Sequence, residues 1–293
     1  MLDYFISRDG VSIRYAVFTV PNPVGSIIFQ GGRSEFIEKH LETTHELNQR
    51  GYDVYTLDWR GQGLSSRMLK NPFKGYVADF DDYVWDLAHF TETIVKPACK
   101  TPIIFIGHSM GGHIVLRYIE ENQAIASKAV LLSPMIQFST GKTPFPLARA
   151  IAYAGHYLGF DHHYLVGASD KPTFGDSFEN NRFTSDKARF DDEQEKIRAN
   201  PKLALGGVTY GWLYAATRSM KPLFRNAGKV KAKCLMISAG EDMIVNNAAQ
   251  QKIAGLIPGC RLVEITGARH EILRERDEIR NQFWEHFDAF MKS

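Results

Sequence analysis

The feature that most constrains this chain is six residues, "GHSMGG", Gly107 to Gly112, set between an apolar run and an amphipathic stretch. "PIIFIGH" reads as a buried strand, and a helix is predicted to start just after Ser109. A serine between glycines at a strand-to-helix junction implies a sharp, strained turn, because only small neighbours let the backbone pack that tightly. Such an elbow exposes the hydroxyl, and the helix start behind it favours negative charge. With Gly and Ser each near ~7% of residues, the bare Gly-x-Ser-x-Gly pattern arises by chance roughly 0.1 times in a chain this long. The strand-turn-helix context is what makes the match specific.

The rest of the chain supplies a matching frame. "DYFISRDGVSIRYAVF" predicts a hairpin turning at Asp9-Gly10. Strands are expected at Ser26–Gln30 and Asp53–Leu57, with a helix from about Ser34 to Arg50 between them. A helix over Phe80–Val95 would place Phe80, Val84, Leu87, Thr91 and Ile94 on one face. "KAVLLSPM", "AKCLMISAG" and "CRLVEIT" read as further strands, with a helix near Asn247–Leu256. A last helix carries Ile279, Phe283, Phe287 and Phe290 on one side. This alternation predicts a mostly parallel sheet flanked by helices. Between residues 137 and 229 the pattern turns helical, aromatic and irregular. The expected organisation is therefore a core in two parts, 1–136 and 230–293, interrupted by a helical insertion over 137–229. "RFDDEQEKIR" within the insertion reads as a solvated helix face.

Composition narrows the function classes. Its 35 basic and 33 acidic residues leave a net charge of +2, without the basic excess that nucleic-acid binding brings. Three scattered cysteines make no disulfide framework, and Cys234 reads as core filler. Asp3 and Arg8 interrupt the opening residues, so no signal peptide is expected. "PFPLARAIAYAGHYLGF" is too short and too polar to span a bilayer. It reads first as a helix packed on the core, and second, with Lys142 and Arg149, as a face resting on a membrane surface. A soluble, cytoplasmic protein, in places peripheral to the membrane, is the expectation.

A serine hydroxyl attacks well only when a positioned base takes its proton and an acid orients that base. In a fold with this elbow the chain order should be serine, acid, histidine. His286 falls inside the amphipathic last helix and reads as structural. His270 follows the strand Leu262–Thr266 in the loop "GARHE", where a base belongs. The strand ending "LLSPM" offers no acid, whereas "MISAGEDMIV" offers Glu241 and Asp242. Other motifs weigh less. His40 and His45 lack the spacing of a zinc helix, and "DHH" at Asp161–His163 reads as a loop before it reads as a metal site. No phosphate loop is present, and "GQG" in "DWRGQGLSS" reads as shaping a loop. In "IIFQGGRSEF" the Gly31-Gly32 pair reads as a turn whose N–H groups face a transient oxyanion.

These residues together resemble the monoacylglycerol lipase and bacterial lysophospholipase family of α/β-hydrolases. "LDWRGQGLSSR" is similar to the family's Asp-x-Arg-Gly-x-Gly-x-Ser stretch, and "GHSMGG" is its usual elbow. "NRFTSDKARF" with "NPKLALGGVTYGW" resembles the insertion of the lysophospholipase branch, and so does the Gly-Arg-x-Glu of the oxyanion loop. The resemblance implies an α/β-hydrolase fold with the insertion as a cap over the site. It selects Asp242 over Glu241 as the acid, giving Ser109, Asp242 and His270 as catalytic residues. The N–H groups of Arg33 and Met110 would form the oxyanion hole. Asn246 departs from the family, standing where many members have an aspartate. The implied substrate is a single-chain acyl ester, lysophospholipid before monoacylglycerol or a general carboxylic ester, with no cofactor and no metal. Two rivals remain. Amide or peptide hydrolysis would require a carboxylate cluster for the substrate amine, which Asp176, Glu179, Asp191 and Asp192 do not obviously form. The other is a slow-turnover ligand receptor that keeps the same three residues. The Arg33 side chain is left with two readings, a contact to a lipid phosphate or a pair with Glu35.

Overall fold

In the computed structural model, which describes residues 1–99, 101–141, 143–172 and 177–293, eight strands form one sheet in the order β1-β2-β4-β3-β5-β6-β7-β8. The opening hairpin pairs β1 (Leu2–Ile6) with β2 (Ser12–Phe18), and Gly10 takes the positive φ of 83° that its turn requires. β2 runs antiparallel to β4 (Tyr52–Leu57). From there every pairing is parallel, through β3 (Gly25–Gln30), β5 (Ile103–His108), β6 (Lys128–Leu132), β7 (Lys233–Ala239) and β8 (Arg261–Ile265). The central strands are apolar on both faces because helices cover both. Ile27, Phe29, Ile104, Ile106 and Val130 meet α1 (Leu41–Gln49) and α9 (Asp277–Lys292) on one side. Ile28, Phe105, Ala129 and Leu131 meet α2 (Phe80–Phe90), α4 (Met110–Glu121) and α8 (Asn247–Ala254) on the other. Cys234 is fully buried in that second core.

Three local differences from the predicted elements have physical causes. The helix expected from Ser34 starts as a 3-10 turn at Ile37–His40 and becomes α1 only at Leu41. Residues 34–36 are taken up by a turn in which the Glu35 carboxylate accepts the Gly32 N–H at 2.7 Å. The helix over Phe80–Val95 turns π-helical at Thr91–Val95 before a single α turn, α3 (Lys96–Ala98). There the Thr91 hydroxyl donates back to the Leu87 carbonyl at 2.7 Å, which competes with the backbone ladder. And "RFDDEQEKIR" is not a wholly solvated face, since Phe190 and Glu193 are buried.

Between β6 and β7 lie α5 (Phe145–Tyr157), α6 (Lys187–Ala199) and α7 (Tyr210–Asn226). Helix α5 rests on α7 through Ala152, Leu213 and Tyr214, and Gly155 leaves room for the Tyr210 ring, which a Cβ there would strike. Among its described residues only Ala152 and Gly155 are buried, so Leu147 and Ile151 stay exposed. Helix α6 is held differently, by charge. Lys39, buried below it, donates to Glu193 of α6 at 3.0 Å and to Glu271 at 2.7 Å. Arg274 donates to the Arg189 and Lys39 carbonyls, and to Asp192 at 3.1 Å.

Candidate active site

The elbow forms at the end of β5. Ser109 sits at φ 51°, ψ −117°, a region that residues with a side chain rarely enter. Three backbone bonds hold it there: its N–H donates to Leu132 at 2.9 Å, and its carbonyl accepts from His113 at 3.1 Å and from Met135 at 2.9 Å. The glycines are needed for contact. A Cβ on Gly107 would lie 2.7 Å from the Gly112 Cα, and one on Gly111 would strike the Gln30 and Gly31 carbonyls. The Met110 N–H opens helix α4, where the first amides have no partner inside the helix.

His270 and Asp242 meet this serine. His270 Nε2 lies 2.9 Å from Ser109 Oγ, and its Nδ1 lies 2.7 Å from Asp242 Oδ2. A carboxylate can only accept, so Nδ1 carries the ring proton and Nε2 accepts from the serine hydroxyl. Asp242 is fixed by the N–H groups of Ile244 at 2.8 Å and Val245 at 3.0 Å. Burial pushes its carboxyl up, but the His270 ring and the two amides outweigh that and hold it below the usual carboxylate range. Glu241 is exposed and takes no part in this chain of bonds. Asn246 instead caps α8, accepting the Ala249 N–H at 3.1 Å.

The turn after β3 completes the site. A Cβ on Gly32 would lie 2.9 Å from Ser109 Cβ, so the Gly32–Arg33 peptide runs beside the serine. The "DWRGQG" loop shapes this turn. The Trp59 indole donates to the Gly31 carbonyl at 2.8 Å, and Gln62 Oε1 accepts the Ser34 N–H at 2.5 Å. Asp58 accepts the Ile37 and Leu64 N–H groups, each at 2.9 Å. Burial pushes the Asp58 carboxyl up to about 6. The Arg33 side chain does not pair with Glu35. It donates to the Gly206 carbonyl and to Ser34 Oγ, linking the turn to the segment before α7. Burial lowers its guanidinium to about 10.

Above the acid lies a cleft of about 590 Å³ lined by Phe138, Ile151, Leu165, Trp212, Leu213 and Ile244, among others. Arg182 lines this cleft and also a polar one that contains Asp242. Next to Arg182, the Phe183 ring lies 6.1 Å from that of His270, and the Phe183 carbonyl accepts the Glu271 N–H at 2.8 Å. Asp191 and Asp192 are paired with Lys187 and Lys196, and Lys142 and Asp176 lie outside the described residues. Asp161 pairs with His156, and among the described residues no group of three or more metal-ligating side chains occurs. Nor, among them, is any helix long and apolar enough to cross a membrane. Sequence reasoning missed Gln62 and His108, and for Glu35 it missed the partners, the Gly32 N–H, His40 and His108; no local signal points to them.

Residues 21–277 match the family model described as "Serine aminopeptidase, S33" (Hydrolase_4). The chain is 28% identical over 284 residues to lysophospholipase L2 of Escherichia coli strain K12, covering 94% of this chain and 83% of that one. It is 31% identical to a monoacylglycerol lipase of Mycolicibacterium smegmatis over 50% of this chain and 51% of the other. A soluble variant of the Saccharomyces cerevisiae monoglyceride lipase, solved with a substrate analog, superposes with a TM-score of 0.79 at 22% identity, covering 99% of this chain and 94% of that one.

Proposed function

We propose, for a chain that belongs to the serine aminopeptidase S33 family and has the α/β-hydrolase fold, an esterase of single-chain acyl lipids, with lysophospholipids first and monoacylglycerols second. What carries the reading is the run of hydrogen bonds from Ser109 through His270 to Asp242 at the edge of an apolar cleft. Ser109 Oγ attacks the ester carbonyl as its proton passes to His270 Nε2. The carbonyl oxygen becomes an oxyanion facing the N–H groups of Met110 and Arg33, and losing one such donor typically costs on the order of 10²–10³ in turnover. The intermediate collapses, and His270 returns the proton to the departing alcohol. A water then gives its proton to His270 and attacks the acyl-serine, releasing the fatty acid and restoring the hydroxyl. Asp242 keeps the His270 tautomer and stabilises its charged form. Residues 137–229 act as the cap, and the acyl chain lies in the cleft.

The lysophospholipid preference rests on the relative of that name and on Arg182. Its exposed guanidinium makes no hydrogen bond or ion pair among the described residues and stands where the apolar cleft meets the acid loop. A phosphate on the substrate would find a cation there. The family name also raises peptide hydrolysis, but the pairing of Asp191 and Asp192 with lysines supports the ester reading. Ser109→Ala is expected to abolish hydrolysis of every ester and labelling by a fluorophosphonate; retained turnover would remove the assignment. Arg182→Gln should weaken lysophosphatidyl substrates about 5-fold in kcat/KM, as expected for an exposed charge contact. Uncharged monoacylglycerols should be unaffected, and an equal loss on both would end the head-group reading.

A further inference from the structure

Directly behind the serine lies a second buried group of charges that the reaction steps do not use. We propose that Glu35 and His108 form a lasting ion pair that acts as a positioning device, joining the oxyanion turn, the nucleophile elbow and the loop of the base. Both residues are 4% exposed. His108 Nδ1 lies 2.7 Å from Glu35 Oε1, and its Nε2 lies 3.1 Å from the His270 carbonyl oxygen. A carbonyl can only accept, so Nε2 carries a proton. A carboxylate also only accepts, so Nδ1 carries one too, and a ring with both is an imidazolium.

The proton could instead sit on Glu35 only if that oxygen pair were a poor anion site. It is a good one. Oε2 accepts the Gly32 N–H at 2.7 Å and faces His40 Nε2 at 2.8 Å, so three donors converge on one carboxylate. Burial opposes the charge, yet His108 and His40 hold Glu35 well below its usual range. Burial likewise opposes charge on His108, but Glu35 outweighs it and lifts the ring above its ordinary value. His40 is lowered by burial and serves as a neutral donor. The other charged or titratable groups facing the pair are Lys39 on the Glu35 side, and Glu271 and His270 on the loop of the base.

The geometry makes this pair a single node for three separate pieces of chain. Glu35 orients the Gly32 amide, and thereby the next peptide beside Ser109. His108 is the residue before Ser109. Its Nε2–H holds the carbonyl of His270, whose ring lies 4.9 Å away centroid to centroid. Loss of the charge leaves these pieces in place but loosens their mutual position, and errors of about 1 Å near reacting atoms cost on the order of 10²-fold.

The positioning part rests on the esterase reading, whereas the charge state does not. The test is histidine-ring ¹⁵N NMR of the full chain at pH 8, with His108→Gln to assign the signals. It is combined with kinetics on a soluble p-nitrophenyl ester. Expected are two protonated ring nitrogens on His108 in the wild type, well above the ordinary histidine range of about 6.5. Glu35→Gln, which keeps shape and hydrogen bonding, should give a neutral ring. Its kcat should fall roughly 10- to 100-fold with KM nearly unchanged, and Glu35→Asp should recover part of the loss. A neutral His108 in the wild type, or full kcat in folded Glu35→Gln, overturns the proposal. If Glu35→Gln does not fold, the wild-type ring signals decide the ion pair, and folded Glu35→Asp with unchanged kcat overturns the positioning. A wild type that hydrolyses no ester removes the esterase reading, while the ring signals still decide the ion pair.

Discussion

Two groups of buried ionisable side chains lie on opposite sides of the sheet's active edge, and the fold treats them differently. Beneath the loops that carry Ser109 and His270, Glu35, His108, Lys39, Glu193 and Glu271 are all buried; Lys39 lies between Glu193 and Glu271, and Glu35 meets His108 in the proposed ion pair. Along α4, where it meets α7, His113, Arg117 and Glu120 are equally buried. His113 and Arg117 share the Ser219 hydroxyl at 2.7 and 2.6 Å, but neither oxygen of Glu120 has a partner among the described residues. Burial accordingly drives His113 down to about 3 and Glu120 up to about 9, so both are neutral at pH 7. Depth alone does not set charge; partners do. Glu193 and Glu271 share Lys39, and Arg117 on α4 keeps its charge beside Asp81, whereas Glu120, with no partner among the described residues, is neutral.

The sharpest way to break that contrast is to remove the cation between two carboxylates. Lys39→Met would leave Glu193 and Glu271 buried without it, and should destabilise the fold by about 3–5 kcal/mol in urea unfolding. A loss below about 1 kcal/mol would show that the two groups are not different in kind. The smaller effect lies on α4 and has the opposite sign. Glu120→Gln should stabilise the protein by about 1–3 kcal/mol at pH 8. Because the folded-state value of Glu120 is raised, from the ordinary 4.5 to about 9, the native state binds more protons than the unfolded chain between those values. Wild-type stability therefore falls as pH rises through that window, and the benefit of the variant should shrink toward zero near pH 4.5. A pH-independent difference would contradict a neutral buried carboxyl.

The same contrast marks what could be read from the sequence. Strands such as Ile27–Gln30 and Ile103–Ile106 are visible because a doubly covered strand must be apolar throughout. Ser109 and His270 are legible from residue type and chain order, Asp242 only once the resemblance chooses it over Glu241, and the structure brings the three together. The paired charges are hidden because each partner lies far away in the chain. Glu35 and His108 are 73 residues apart, and the lysine that pairs with Glu193 precedes it by 154. Read locally, "RFDDEQEKIR" can only look solvated, and Glu35 can only look like a partner for the nearby Arg33. The Arg33 side chain was equally unreadable, since Gly206, its acceptor, belongs to the insertion.

The helical insertion sits between β6 and β7, and this placement has a consequence for the protein's own synthesis. The ribosome finishes the strained serine first, then the helices above it, and delivers the base only 161 residues after the nucleophile. β7 and β8, which present Asp242 and His270, must add to the free edge of β6 after that detour. On the proposed mechanism, a nascent chain that already displays Ser109 stays chemically silent until its closing strands dock. On that mechanism the hydrolase is switched on by the completion of its own sheet.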